Sequence, residues 1–189
     1  MAENKVSFNL KNVHYAVLSE TVGTDGTITY SYDTPKHVPG AVSLSLDPAG
    51  SVEPFYADGI VYYNSIANQG YSGDLEMARF PDDMLADVWG FTEDTTTHVL
   101  IENSATEPAA FALLYQIDGD QTEQYYALYN VTGTRPGIGG ATTTDTKTPQ
   151  TQSSSITAAP RGDGVVLART KDDTTTATKS AWFSSVFSA

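Results

Sequence analysis

The chain's 189 residues, 40% hydrophobic and 11% aromatic, suffice for one domain with a substantial core and exclude a wholly disordered chain. The absence of cysteine excludes disulfide frameworks and thiolate metal sites. The formal net charge of −13 concentrates in residues 40–132, where one basic side chain, Arg79, stands against 15 acidic ones, and this excludes a protein that grips DNA through Lys and Arg.

The N-terminal MAENKVSFNLKN lacks the charged-then-apolar pattern of a signal peptide, which predicts synthesis in a cytoplasm and retention there until release. Strands are predicted at Asn12–Leu18 and, after an Asp25-Gly26 turn, at Thr27–Tyr32. The second lies within a long polar segment, Ser19–Pro39. From Pro39 to Tyr63 the sequence PGAVSLSLDPAGSVEPFYADGIVYY reads strand, turn, strand, turn, strand. Val42, Leu44 and Leu46 alternate with Ser43, Ser45 and Asp47, the period of a half-buried strand. Asp47, Pro48 and Gly50 supply the first turn and Asp58-Gly59 the second. Phe55, Tyr56, Tyr62 and Tyr63 cluster here with no catalytic group among them, which points to a protein that works by its surfaces.

Gly73–Phe80 alternates Leu75, Met77 and Arg79 against Asp74, Glu76 and Ala78. Pro81 opens a short helix at its first position, with Asp82 and Asp83 in the first turn where the helix dipole favours negative charge. Met84 pairs with Val88 and Leu85 with Trp89 at i, i+4 spacing, and Gly90 stops the helix. Further strands are predicted at His98–Glu102, Phe111–Asp118, Gln124–Thr132, Gln150–Ala159 and Gly164–Thr170. Thr176–Ser188 predicts a C-terminal helix laid on a sheet, with Trp182 over Val186 and Phe183 over Phe187.

Phe111–Tyr115 and Tyr125–Tyr129 are apolar on both alternating faces, so each is expected between two layers or at a subunit contact. Eleven tyrosines exceed what a core requires and favour assembly, because tyrosine is enriched where one end is dry and the other wet. A second polar segment, Gly133–Pro149, has Ile138 as its one apolar anchor. Neither long segment has the composition of an interdomain linker, so residues 1–189 read as a single domain. No run of 18 apolar residues predicts a membrane span.

The catalytic inventory is thin. His14, His37 and His98 show no metal-binding spacing, and His14 reads as a structural histidine in a strand. Asp118-Gly119-Asp120 lacks the later ligands of a calcium loop and reads as a hairpin turn. Gly137–Gly140 lacks the Lys-Ser/Thr of a phosphate loop. Arg161-Gly162-Asp163 matches a cell-adhesion tripeptide too short to argue from, and Asp163-Gly164 is ordinary hairpin chemistry. Nothing selects one pair among 23 acids for glycoside hydrolysis. The reading is no enzyme and no cofactor.

Seven segments then carry a resemblance through most of the chain: LKNVHYA (Leu10–Ala16), PGAVSLSLDP (Pro39–Pro48), PFYADGIVYY (Pro54–Tyr63), NQGYSGDLEMARFPDDM (Asn68–Met84), FALLYQIDGD (Phe111–Asp120), YALYNVTGTRPG (Tyr126–Gly137) and TPQTQSSSITAAPRGDG (Thr148–Gly164). Trp182-Phe183 follows. In this order they resemble the major tail proteins, the tail-tube subunits of long non-contractile-tailed bacteriophages of Gram-positive hosts. Ser19–Pro39, Gly90–Glu107 and Thr142–Lys147 depart from the pattern.

The resemblance implies a mainly β fold, a β-sandwich or small β-barrel with a short flanking helix, a C-terminal helix and long loops. It implies rings, typically hexameric, stacked into a hollow tube assembled in a bacterial cytoplasm and carried in the virion tail. Implied partners are other copies of the chain, the tape-measure protein, the tail terminator and distal-tail or baseplate proteins. Double-stranded DNA would pass through without specific binding, and no membrane insertion is implied. On this expectation Asp74, Glu76, Asp118, Asp120 and Glu123 are candidates for the lumen wall. Thr24, Asp25, Thr27, Arg135, Pro136 and Ile138 are candidates for contacts between subunits. Two rivals stand beside it: a carbohydrate-binding or adhesion β-sandwich, with tyrosines as sugar platforms, and a tube subunit of a bacterial contractile injection system.

Overall fold

Strands form where apolar and polar side chains alternate most cleanly, and the longest of them build one sheet. In the computed structural model, which describes residues 4–142, 145 and 148–188, the elements run β1 (Ser7–Val22), β2 (Ile28–Tyr32), β3 (Lys36–His37), β4 (Ala41–Ala49), β5 (Val52–Ala57), β6 (Ile60–Ile66), β7 (Gly70–Met77) and α1 (Asp82–Trp89). They continue as β8 (Thr92–Glu93), β9 (Leu100–Ile101), β10 (Phe111–Gly119), β11 (Glu123–Gly133), β12 (Gln152–Ala158), β13 (Leu167–Arg169) and α2 (Thr176–Ala181). The sheet is antiparallel in the order β2-β1-β10-β11-β12-β7-β4, with β3 added to β1 and β13 to β11. β4 approaches β1 without pairing to it, so the sheet curls over its own inner face. Among the described residues the chain is mainly β and sandwich-like, with two short helices; the alternation predicted the strands and the resemblance implied the sandwich.

Two apolar clusters follow from this curl. The inner one gathers Leu75 and Met77 of β7, Leu113 and Tyr115 of β10, Leu128 and Val131 of β11, and Met84, Val88 and Trp89 of α1. Phe80 meets Trp89 edge-on at 5.5 Å, and the Trp89 indole donates to the Gly133 carbonyl at 3.0 Å, so α1 is locked to the end of β11. The outer cluster lies on the opposite face of the central strands. It contains Ala16, Ala112, Leu114, Ala127 and Tyr129, covered by Trp182. The doubly apolar runs are therefore buried within one chain, between the inner core and the C-terminal segment, and do not mark a subunit contact.

Several predicted boundaries move, each for a physical reason. Ser19–Val22 is strand, because β1 pairs with β2 from Leu18↔Tyr32 to Val22↔Ile28; only Gly23–Thr27 of that polar segment forms a tip. β4 continues through Asp47 and Pro48 to Ala49, which proline permits because β4 is an edge strand. Arg79 lies past the end of β7, exposed and paired with Asp82 at 3.0 Å. Pro81 is the N-cap residue and not the first helical one, with extended ψ of 148°. Gly90 caps α1 with a φ of 67°, donating to Ala86. The strand predicted at His98–Glu102 shrinks to Leu100–Ile101 and that at Gly164–Thr170 to Leu167–Arg169. The C-terminal helix ends at Ala181, and Trp182 stacks on Phe187 at 5.5 Å instead of pairing with Val186.

Candidate assembly surfaces

β5 and β6 form a hairpin that stands apart from the sheet. Its turn, Asp58-Gly59, has positive φ at both residues, 52° and 80°, as a two-residue connection matching strand twist requires. The cross-strand register assigns its two faces. Val52, Pro54, Tyr56, Val61 and Ile66 share one, and Phe55, Ile60 and Tyr63 share the other, with Tyr62 the extra residue where the register shifts. Both faces are apolar, and all eight large apolar side chains are exposed, from 47% at Val61 to 77% at Ile66. An isolated two-stranded hairpin is marginal in water, and an apolar one with both faces wet calls for a partner.

The five acids proposed for a lumen fall into two groups at opposite ends of β11. Asp74 and Glu76 lie on the exposed face of β4, β7 and β12, where the register sets Ser45, Asp74 and Ser155 in one row and Ser43, Glu76 and Ser153 in the next. Ser155 donates to Asp74 at 2.6 Å, and Thr151 and Ser43 donate to Glu76 at 2.5 and 2.9 Å. The bonds from Thr151 and Ser43 hold the Glu76 carboxyl below the usual range. Asp118, Asp120 and Glu123 flank the β10–β11 turn. Asp118 pairs with Lys11 at 2.9 Å and accepts from Asn9 and Gln116. Burial pushes its carboxyl up, but those bonds outweigh the effect and leave it below the usual range. Asp120 accepts from the Lys5 backbone N–H at 2.7 Å, which lowers it. Asn4 closes this turn, its side chain accepting from Gln121 and Thr122 and donating to the Thr122 carbonyl.

The proposed contact residues also separate. Thr24, Asp25 and Thr27 form the exposed tip between β1 and β2. There the Asp25 carboxylate accepts the Thr27 N–H at 3.0 Å and is thereby lowered. Arg135 pairs with Glu102, so the second polar segment reaches the β8–β9 hairpin. Pro136 is half-buried and Ile138 is 96% exposed. Residues 134–137 are tied to β12, the Thr134 and Gly137 N–H groups donating to Ser155 and Ser153. Thr143, Thr144, Thr146 and Lys147 of that segment lie outside the described residues.

One cluster eluded sequence reasoning. Arg161 is 8% exposed; its guanidinium donates to both Asp163 oxygens and to the Tyr32 hydroxyl at 3.3 Å. It lies over the rings of Tyr30 and Tyr129, at 4.7 and 5.2 Å. The arginine of the adhesion-like tripeptide is thus turned inward and bound to the exposed aspartate two residues on. The bonds from Arg161 hold the Asp163 carboxyl below the usual range. A lowered carboxyl contributes stability above its unfolded pKa and loses it as pH falls through the folded one. Melting temperature is therefore expected to fall from about pH 4 downward, less steeply in Asp163→Asn than in the native chain; parallel slopes in thermal denaturation would refute the role. His14 is held in place as read: Nδ1 lies 2.8 Å from the Asn12 carbonyl, and the ring stacks on Phe183 at 4.4 Å. Burial lowers its pKa, as does His37.

Among the described residues no group of three His, Asp or Glu stands close enough to hold a metal ion, and no helix is long and apolar enough to cross a membrane. No protein-family model matches the chain, and no curated protein matches it.

Proposed function

We propose that this chain is a self-assembling tube subunit, the tail-tube protein of a long non-contractile-tailed bacteriophage, stacked as rings around a tape-measure protein and later around DNA in transit. The β5–β6 hairpin carries the reading: two apolar faces with no cover in the monomer. A sugar platform uses one aromatic face, whereas this hairpin mixes exposed aliphatic and aromatic side chains on both faces, which favours burial between neighbours over glycan binding. The open edges at β2 and β4 supply strand-pairing sites that a ring can satisfy, and a heterologous contact closes a ring or extends a filament.

The lumen wall is assigned to the hydroxyl and carboxylate face around Asp74 and Glu76, where short side chains leave a smooth acidic surface that repels phosphate. The other acids face Lys11 and the Lys5 backbone. Tubes of Asp74→Lys/Glu76→Lys are expected to retain linear DNA on sedimentation at low salt where native tubes release it; equal release would remove these residues from the wall.

The direct test is negative-stain microscopy and sedimentation of purified protein at rising concentration. Hollow tubes or rings of uniform width are expected. A chain that stays monomeric at every concentration and binds glycans would replace this reading with the carbohydrate-binding one.

A further inference from the structure

The strand β1 joins two surfaces that differ in charge. At its start, residues 4–7 line an open cleft of about 710 Å³ together with Gln124, Tyr126, Arg169 and the 171–173 turn. Lys5, Arg169 and Lys171 bring three of the chain's ten bases into this one cleft. Among the described residues, the Lys5 ammonium and the Arg169 guanidinium have no carboxylate partner, and Lys171 reaches Asp173 only at 3.9 Å. At the far end of the same strand, roughly 50 Å of chain away at about 3.3 Å per residue, the β1–β2 tip carries Glu20 and Asp25 with no base between Leu18 and Tyr32. Val22 and Ile28 there are exposed.

We propose that the β1–β2 tip of one copy docks in the Lys5–Arg169–Lys171 cleft of the next, so that rings stack head to tail with one polarity; this rests on the tube reading above. Opposite charge at opposite ends of one strand suits a heterologous, open-ended contact, because each docked copy still presents a free tip and a free cleft to the next. Glu20 meets Lys5 and Arg169. Val22 and Ile28 cover the Val6 edge of the cleft. Exposed pairs of this kind steer association and are screened by salt, so stacking should weaken between low and high ionic strength while ring formation, which rests on apolar contact, persists.

The test uses the full chain in three forms, each checked for a native melting temperature: Lys5→Glu/Arg169→Glu, Glu20→Lys/Thr24→Lys, and the two mixed at equal concentration. Each variant alone is expected to give rings but no tubes at low salt, at least tenfold fewer stacked rings than the native chain by microscopy. The mixture is expected to form tubes again, since each reversed tip then meets a reversed cleft. Native tubes should shorten progressively as sodium chloride rises. Variants that stack like the native chain, or a mixture that fails to restore stacking, would overturn the docking while leaving the tube reading intact. A native chain that forms neither rings nor tubes would overturn both.

Discussion

Replacing Trp182 with alanine is expected to lower the unfolding free energy by roughly 3–5 kcal/mol, the range for removing a large buried aromatic. Trp182 is 3% exposed, its indole donates to the Tyr126 carbonyl at 3.2 Å, and its ring closes the outer cluster over Leu114 and Tyr129. The loss goes beyond one cavity. Tyr129 donates to the Phe187 carbonyl at 2.9 Å and Phe187 stacks on Trp182, so the residues after α2 hold one another against the sheet. For a domain of this size the melting temperature should drop on the order of 6–20 °C. Trp182→Phe, which keeps the ring and loses the donor, should fall about 1 kcal/mol short of the native chain. Thermal denaturation followed by circular dichroism decides; an unchanged midpoint in Trp182→Ala would mean that the C-terminal segment covers nothing of consequence.

Serine in place of Tyr56 and Ile66, or in place of Phe55 and Tyr63, is expected to leave the monomer as stable as before and to cripple assembly. Neither pair belongs to the inner or outer cluster, so melting should shift by less than about 0.5 kcal/mol, as for surface changes. In the assembled state each pair would forfeit on the order of 3 kcal/mol of apolar burial, equivalent to about a hundredfold rise in the concentration needed to assemble. The two pairs sit on opposite faces, which gives the experiment resolution. If both cripple assembly, the hairpin is clasped between two neighbours. If only one does, its other face rests on its own subunit or on solvent in the tube. Assembly at native concentrations by both variants would take the hairpin out of the interface.

The sequence made the core legible wherever contrast was high. Leu75 and Met77 against Asp74 and Glu76, and the doubly apolar runs at Phe111 and Tyr125, predicted strands and burial that the structure bears out. It was mute where contrast is absent. In VEPFYADGIVYY apolar side chains fall on both faces, so alternation could not say that the hairpin projects. The extent of β1 was hidden because Ser19, Glu20 and Thr21 read as loop by composition, while their pairing with β2 is settled by backbone partners. Arg161 was hidden for another reason: its burial depends on Tyr30, Tyr32 and Tyr129, distant in sequence and joined only by the fold. The proposed site residues lie on turns, edges or the outer sheet face, but the division of the five acids between the two ends of β11 follows from the sheet order, which no local pattern encodes.

The sheet order also sets a timetable. Within it β1 pairs with β10, Tyr15 opposite Leu113, so closing the body requires a loop that spans half the chain, and long-range antiparallel pairing is slow. The β5–β6 hairpin needs only its two-residue turn and forms and melts within microseconds. During folding, the most adhesive element is therefore ready before the scaffold that should present it. Refolding yield should consequently fall with protein concentration, as second-order capture of half-made chains competes with first-order closure.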